Sequence, residues 1–332
     1  MTLHLDNEAF RELIALAADH SGHEQSHVEK DYWVCKILKE LAFSGFSGNI
    51  YFKGGTSLSK AYGGIINRFS EDLDVFAYSG NPASSKQAEK TLNRNVSHFI
   101  IENNREMYKQ ELSKTGGDFR KLAFSYDTHY ESAGLKENLE VEIKCCTLED
   151  KSAMYYPAQK QRIVSIITGY LLAIERPEII KRFALDPFEV QTIDPKRTFC
   201  DKISRLTRLS YNDDFEMLIA KHIRDIYDIY CLLSIPEYAG FIHSDHFPVA
   251  LKHVTDEDGL YRNSQSNHPI SKARIFAQTG EMLKLPAISR AYNIELKKLM
   301  FDPAKMPKLA DVIRVITSLH EPLRKFDEKY RI

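Results

Sequence analysis

The chain has 332 residues, 43% of them hydrophobic, enough to bury one large core and, at this length, two. A formal net charge of −1 and a pI near 6.9 exclude the global basic field that drives nonspecific nucleic-acid binding, so a polyanionic partner would need a local basic patch. Five cysteines, odd in number and without CxxC pairing, exclude a disulfide framework or cysteine zinc site and point to a reducing cytoplasm, and no apolar stretch reaches the roughly 18 residues of a membrane span.

Asp6 or Asn7 is placed to cap a first helix whose apolar stripe is Phe10, Leu13, Ile14 and Ala17, ending near Ser21 and Gly22. A second helix opens at Ser26-His-Val-Glu29, read as a capping box, and runs past Trp33 towards Leu41. A strand over 50–52, a turn at Gly54-Gly55, a helix over 56–62 and a strand over 72–78 follow. A polar helix over 85–112 comes next, then strands over 122–126, 139–145 and 189–193. Beyond Pro195 the pattern turns helical, near 197–210, 214–234 and past 270, while the polar segment 255–270 reads as a mobile loop. The expectation is an α/β (α+β) chain with a sheet lobe over 1–195 and a helical lobe over 196–332.

Between the first two strands, the glycine pair lets backbone approach a ligand, the free amides of the helix start favour a phosphate, and Thr56 and Ser57 add hydroxyls. The GxxxxGK[ST] spacing of a P-loop is absent. Asp72 and Asp74, two apart in a strand, leave the same face while Leu73, Val75 and Ala77 face a core. Paired carboxylates beside a phosphate-binding turn suit a hard divalent cation that also coordinates the phosphates.

The stretch KGGTSLSKAY followed by RFSEDLD resembles the nucleotidyltransferase signature, a glycine turn and helix followed by DxD on the next strand. More narrowly, it resembles the AbiEii/AbiGii toxin family of bacterial nucleotidyltransferases, which includes the MenT toxins of type IV toxin-antitoxin systems. The resemblance covers most of residues 26–235 in motif order. It implies a nucleotidyltransferase-type mixed sheet with flanking helices, and a helical lobe that completes the cleft. Mg²⁺, or Mn²⁺, would sit on Asp72, Asp74 and a third carboxylate. In NLEVEIKCC, Glu140 and Glu142 share one face and either can serve; Glu142 is favoured because it lies nearer the strand centre. A nucleoside triphosphate would place its phosphates on Lys53, Gly54, Gly55, Thr56 and Ser57, with Ser70 nearby.

Further on, PKRTFCDKISRLTRL puts Phe199, Ile203 and Leu206 on one helical face and Lys202, Arg205 and Arg208 on a flank, a cationic ridge. It resembles the family's TFxxKhxxL element, whose lysine contacts the triphosphate; the matching residue is Lys202. KHIRDIYDIYCLL resembles the RDxxD helix, which gives Asp225 a role next to the site, holding Lys202 or sharing the base function, with Asp228 in support. The plain reading of this helix is an Arg224 to Asp228 ion pair. Glu29, Lys30 and Asp31 are also family-like and read as structural.

The activity so implied is transfer of a nucleotide from an NTP to an acceptor hydroxyl, the tRNA 3′ end, by a cytoplasmic toxin with a cognate antitoxin, in toxin-antitoxin or phage-defence systems. Arg205, Arg208 and the segment near 260 are the candidate RNA contacts. Transfer to a protein or small-molecule acceptor, and a catalytically silent binding module, are the alternatives.

Overall fold

The computed structural model describes residues 2–81, 84–130, 135–145, 157–260, 274–275, 283 and 285–331. Chain contacts divide it into a first unit of Met1–Gly64, Arg68–Cys146 and Ala158–Thr192 and a second of Ile65–Asn67, Thr147–Pro157 and Ile193–Ile332.

In the first unit, α1 (Asn7–Ser21) is capped by Asp6, whose carboxylate accepts from the Ala9 amide at 3.2 Å, and ends at Gly22 with φ 71°. Helix α2 (Gln25–Ala42) does not use the expected capping box. It starts one residue earlier, and Glu29 instead accepts from the His129 amide at 3.1 Å and the Thr128 hydroxyl at 2.9 Å. Glu29 is buried, so its carboxylate goes to a distant amide that would otherwise be desolvated.

Strand β1 (Ile50–Lys53) leads without a loop into α3 (Gly54–Lys60), and β2 (Leu73–Ala77) returns antiparallel to β1. Helix α4 (Lys86–Asn103) stops nine residues short of the expected 112, where Asn104 donates to the Ile100 carbonyl at 3.0 Å and to Glu40 at 2.9 Å. Strands β3 (Lys114–Thr115), β4 (Phe119–Phe124), β5 (Leu139–Cys145) and β6 (Ala158–Ile163) follow, then α5 (Ile166–Ala173), α6 (Pro177–Arg182) and β7 (Phe188–Ile193).

The seven strands form one mixed sheet in the order β3-β4-β5-β2-β1-β7-β6, with β2 parallel to β5 and β1 parallel to β7. Alternation sorts its residues. Ile50, Phe52, Leu73, Val75, Ala77, Leu122, Leu139, Val141 and Ile143 enter one core with Ile14 of α1, Val34 and Leu38 of α2, and Val96 of α4. The opposite face of β2 and β5 carries the acidic residues, each half-buried.

The second unit is helical: α7 (Pro195–Ser210), α8 (Phe215–Lys221), α9 (Ile223–Leu233), α10 (Pro236–Phe241), α11 (His246–Leu260), α12 (Pro286–Arg290), α13 (Leu309–Thr317) and α14 (His320–Tyr330). Asp194 caps α7 through the Lys196 amide at 2.8 Å. The single helix expected over 214–234 is two, broken at His222. The loop expected over 255–270 is helical to 260, because Val254 and Thr255 are fully buried and Glu257 pairs with the buried Arg197; 261–270 lie outside the described residues.

Cys35, Cys145, Cys200 and Cys231 are thiols not joined in disulfides, and Cys146 lies outside the described residues. Among the described residues no helix is long and apolar enough to cross a membrane.

Candidate active site

The join between β1 and α3 requires glycine. Gly54 has φ +79°, and a Cβ built on it would stand 2.9 Å from Asp74 Cγ. Lys53 and Asp74 are register partners across β1 and β2, so the chain turns into α3 directly over the Asp74 carboxylate. Backbone can come this close to a carboxylate only where no side chain intervenes.

The hydroxyls expected to face a phosphate are used inside the protein. Thr56 bonds the Asp72 carbonyl and lies 3.0 Å from the Ser70 hydroxyl, and Ser57 donates to the Gly54 carbonyl at 2.8 Å. Both are buried. Thr56 ties the turn to the chain entering β2 at Asp72, while Ser57 closes back onto the turn itself. Lys53 places its ammonium 4.6 Å from the Phe76 ring centre, a cation–π contact on the same face as Asp74.

The register sets the acidic face. Asp74 of β2 pairs with Glu142 of β5, and Leu73 with Val141, so Asp72, one residue before β2, lies across from Glu140. Four carboxylates on adjacent strands repel one another unless cations intervene. Two lysines do so. Lys121, the register partner of Glu142 on β4, reaches Glu140 at 2.6 Å and Glu142 at 4.0 Å. Lys136 bridges the strands, its ammonium 2.7 Å from Asp72 Oδ1 and bonded to Glu140. Burial alone would lower the Lys136 pKa, but Asp72 and Glu140 outweigh it and hold the group charged above its ordinary value. Glu140 is thus shared by two ammonium groups. Glu142 lies across from Asp74 in the register, with Lys121 at 4.0 Å.

A buried ion pair positions Lys136. Lys30 of α2 pairs with Glu71 at 3.0 Å and donates to the carbonyls of Lys136 and Asn138, while Glu71 accepts from the Lys136 amide at 2.8 Å. Lys30 is 0% exposed and Glu71 3%. The neighbouring Asp31 pairs with Lys60 of α3 and accepts from the Ile166 amide at 2.8 Å. The EKD triplet therefore ties α2 to residues 128–129, Glu71, the carbonyls of Lys136 and Asn138, Lys60 of α3 and the start of α5. Cross-strand pairing with lysines is the plain alternative for the β5 glutamates in the sequence, and Lys121 supplies it for Glu140; Lys60 and Lys136 are not singled out there, although Lys136 stands i,i+4 to Glu140.

Among the described residues no three carboxylate, imidazole or thiol groups form a ready-made metal cage. The donor set still suits a hard divalent cation, which uses one or two carboxylates and takes its other ligands from water and substrate phosphates. Asp72, Asp74 and Glu142 carry the oxygens that would hold such a cation, and an ammonium rests on Asp72 in this structure.

In the second unit, Lys202, expected on a cationic flank, is buried, 2.7 Å from Asp225 and 2.8 Å from Asp228. Asp228, read as a partner of Arg224, thus engages Lys202. Arg205 reaches Asp225 at 3.2 Å and Arg208 reaches Asp258 at 3.8 Å. Burial would raise the Asp225 pKa, but Arg205 and Lys202 outweigh it and hold the carboxyl well below its usual range.

Comparison with solved structures finds the nucleotidyltransferase toxin MenT4 from Mycobacterium tuberculosis H37Rv, 16% identical, with a TM-score of 0.42 over 95% of this chain and 97% of that one. Comparison with curated protein sequences finds no match. Residues 36–331 match the family described as nucleotidyl transferase AbiEii toxin, type IV toxin-antitoxin system. With nearly its whole length inside that match, from α2 through the acidic face to α14, the chain belongs to the AbiEii nucleotidyltransferase toxins.

Proposed function

We propose that the protein transfers a nucleotide from a nucleoside triphosphate to the 3′ hydroxyl of tRNA and so stops translation, with a cognate antitoxin restraining it in the cytoplasm. The observation that carries this reading is the Asp74 carboxylate held against Gly54 and paired in register with Glu142, within a chain of this family.

In this reading the phosphates lie along the backbone from Lys53 to Ser57, with Ser70 behind it. Asp72, Asp74 and Glu142 would hold Mg²⁺ or Mn²⁺, which would supply neutralisation of the charge on the phosphoryl oxygens. Glu142 accepts the proton of the acceptor hydroxyl. The hydroxyl oxygen forms a bond to the α-phosphorus as the bond to the bridging oxygen of the β-phosphate breaks, and pyrophosphate leaves. The missing Cβ of Gly54 is what lets the Asp74 carboxylate lie against the turn. Lys202 and Asp225 are proposed site residues on the family motif, and an anion meeting Lys202 has to compete with Asp225 and Asp228.

The test is purified protein with total tRNA and each labelled NTP in turn, wild type against Asp74→Asn. Label in the RNA of the wild type alone supports the reading. Label entering protein or a small molecule replaces the acceptor, and no turnover with any NTP removes the reading.

A further inference from the structure

The acidic face carries its own counter-ion. The Lys136 ammonium is 2.7 Å from Asp72 Oδ1 and bonded to Glu140, so one lysine joins the residue that leads into β2 to β5. Its backbone is held separately, by Glu71 at the amide and Lys30 at the carbonyl. The backbone of Lys136 is therefore held independently of its side chain. The side chain is the exposed part, at 37%, against 4% for Glu71 and 0% for Lys30.

We propose that Lys136 is a displaceable counter-ion: it occupies Asp72 until a divalent cation arrives, then swings off Asp72 while keeping Glu140, and thereby sets how tightly the site binds the cation. The inference rests on Asp72 being a cation ligand. An ammonium and a divalent ion cannot share the Asp72 oxygen without strong repulsion, so the cation competes with a charge-assisted hydrogen bond. Glu140 is the natural holder of the released lysine. It lies four residues on, and Lys121 already supports it at 2.6 Å. Lys136 so acts as a positioning residue, fixing Asp72 before ligands bind and tuning cation affinity.

The experiment titrates Mn²⁺ alone, without nucleotide, into full-length wild type, Lys136→Met, Lys136→Arg and Asp72→Asn, counting free Mn²⁺ by electron paramagnetic resonance. Lys136→Met should bind about tenfold tighter, the effect of removing one competing charge-assisted hydrogen bond. Lys136→Arg should stay near wild type, and Asp72→Asn should bind weakest. In the wild type, Mn²⁺ should also raise the labelling of Lys136 by an amine-reactive ester, read by mass spectrometry, which needs no variant to fold. Equal or weaker binding by Lys136→Met, or labelling indifferent to Mn²⁺, overturns the proposal and leaves the site reading standing if Asp72→Asn still weakens binding. If Asp72→Asn binds as the wild type does, Asp72 is no ligand and both fall.

Discussion

Asp74 and Gly54 define the site between them: the carboxylate stands where any side chain at position 54 would begin, and Gly54 adopts φ +79° above it. Gly54→Ala should therefore combine left-handed strain with displacement of Asp74. The expected cost is about 1–3 kcal/mol in urea unfolding, with activity lost. Gly64→Ala is the control. Its φ is +77° with open space around the new methyl, so it should cost only about 1–2 kcal/mol and leave turnover intact.

The two glutamates of β5 separate by their partners. Glu142→Gln should slow pyrophosphate release by about 10²–10⁴-fold, the usual contribution of a positioned base. Glu140→Gln should slow it much less, since its carboxylate is held by Lys121 and Lys136. A larger loss for Glu140→Gln would exchange the two assignments.

Lys30→Met should unfold far more easily than the wild type. It leaves Glu71 buried without its ammonium and frees the carbonyls of residues 136 and 138, for about 3–5 kcal/mol of lost stability in chemical denaturation. Wild-type-like stability would mean that water replaces the ammonium.

His4 supplies a pH dependence. Burial first, and Lys36 second, lower its pKa from 6.5 to about 4, and its ring bonds the Tyr32 hydroxyl at 2.7 Å. A depressed folded value means that the contribution is complete above pH 6.5 and lost as pH falls towards 4. Melting temperature should drop across that window, and His4→Gln should flatten the drop. An unchanged profile in the variant would assign the slope to other groups.

Asp225 acts in a lower window. With its carboxyl held well below 3.8, its contribution is present above pH 3.8 and is lost progressively as pH falls below it. Asp225→Asn should be less stable at neutral pH, because Lys202 loses a buried partner, yet show a shallower acid transition followed by circular dichroism.

Local pattern made much of the fold legible. The stripe of Phe10, Leu13, Ile14 and Ala17 forms a buried helix face, and alternation from Leu139 to Cys145 gives a half-buried strand with its glutamates outward. These follow from periods of 3.6 and 2 residues, which need no distant partner. Strand β6, AQKQRI, escaped because it has no apolar alternation and exists through sheet pairing alone. The end of α4 was hidden in a similar way, since Asn104, just past its last residue, bonds Glu40, which is remote in sequence.

The family motifs, the glycine turn and the two acidic pairs with their common face are carried by spacing over a few residues and are legible without a fold. Which carboxylates meet is a matter of folding. The tertiary structure set Asp74 beside Glu142, gave Glu140 to two lysines, turned the Thr56 and Ser57 hydroxyls inward and buried Lys202 between two aspartates. The physical reason is that a charge is paired by whatever the fold brings within about 3 Å, and strand register and helix packing, not sequence distance, choose that neighbour.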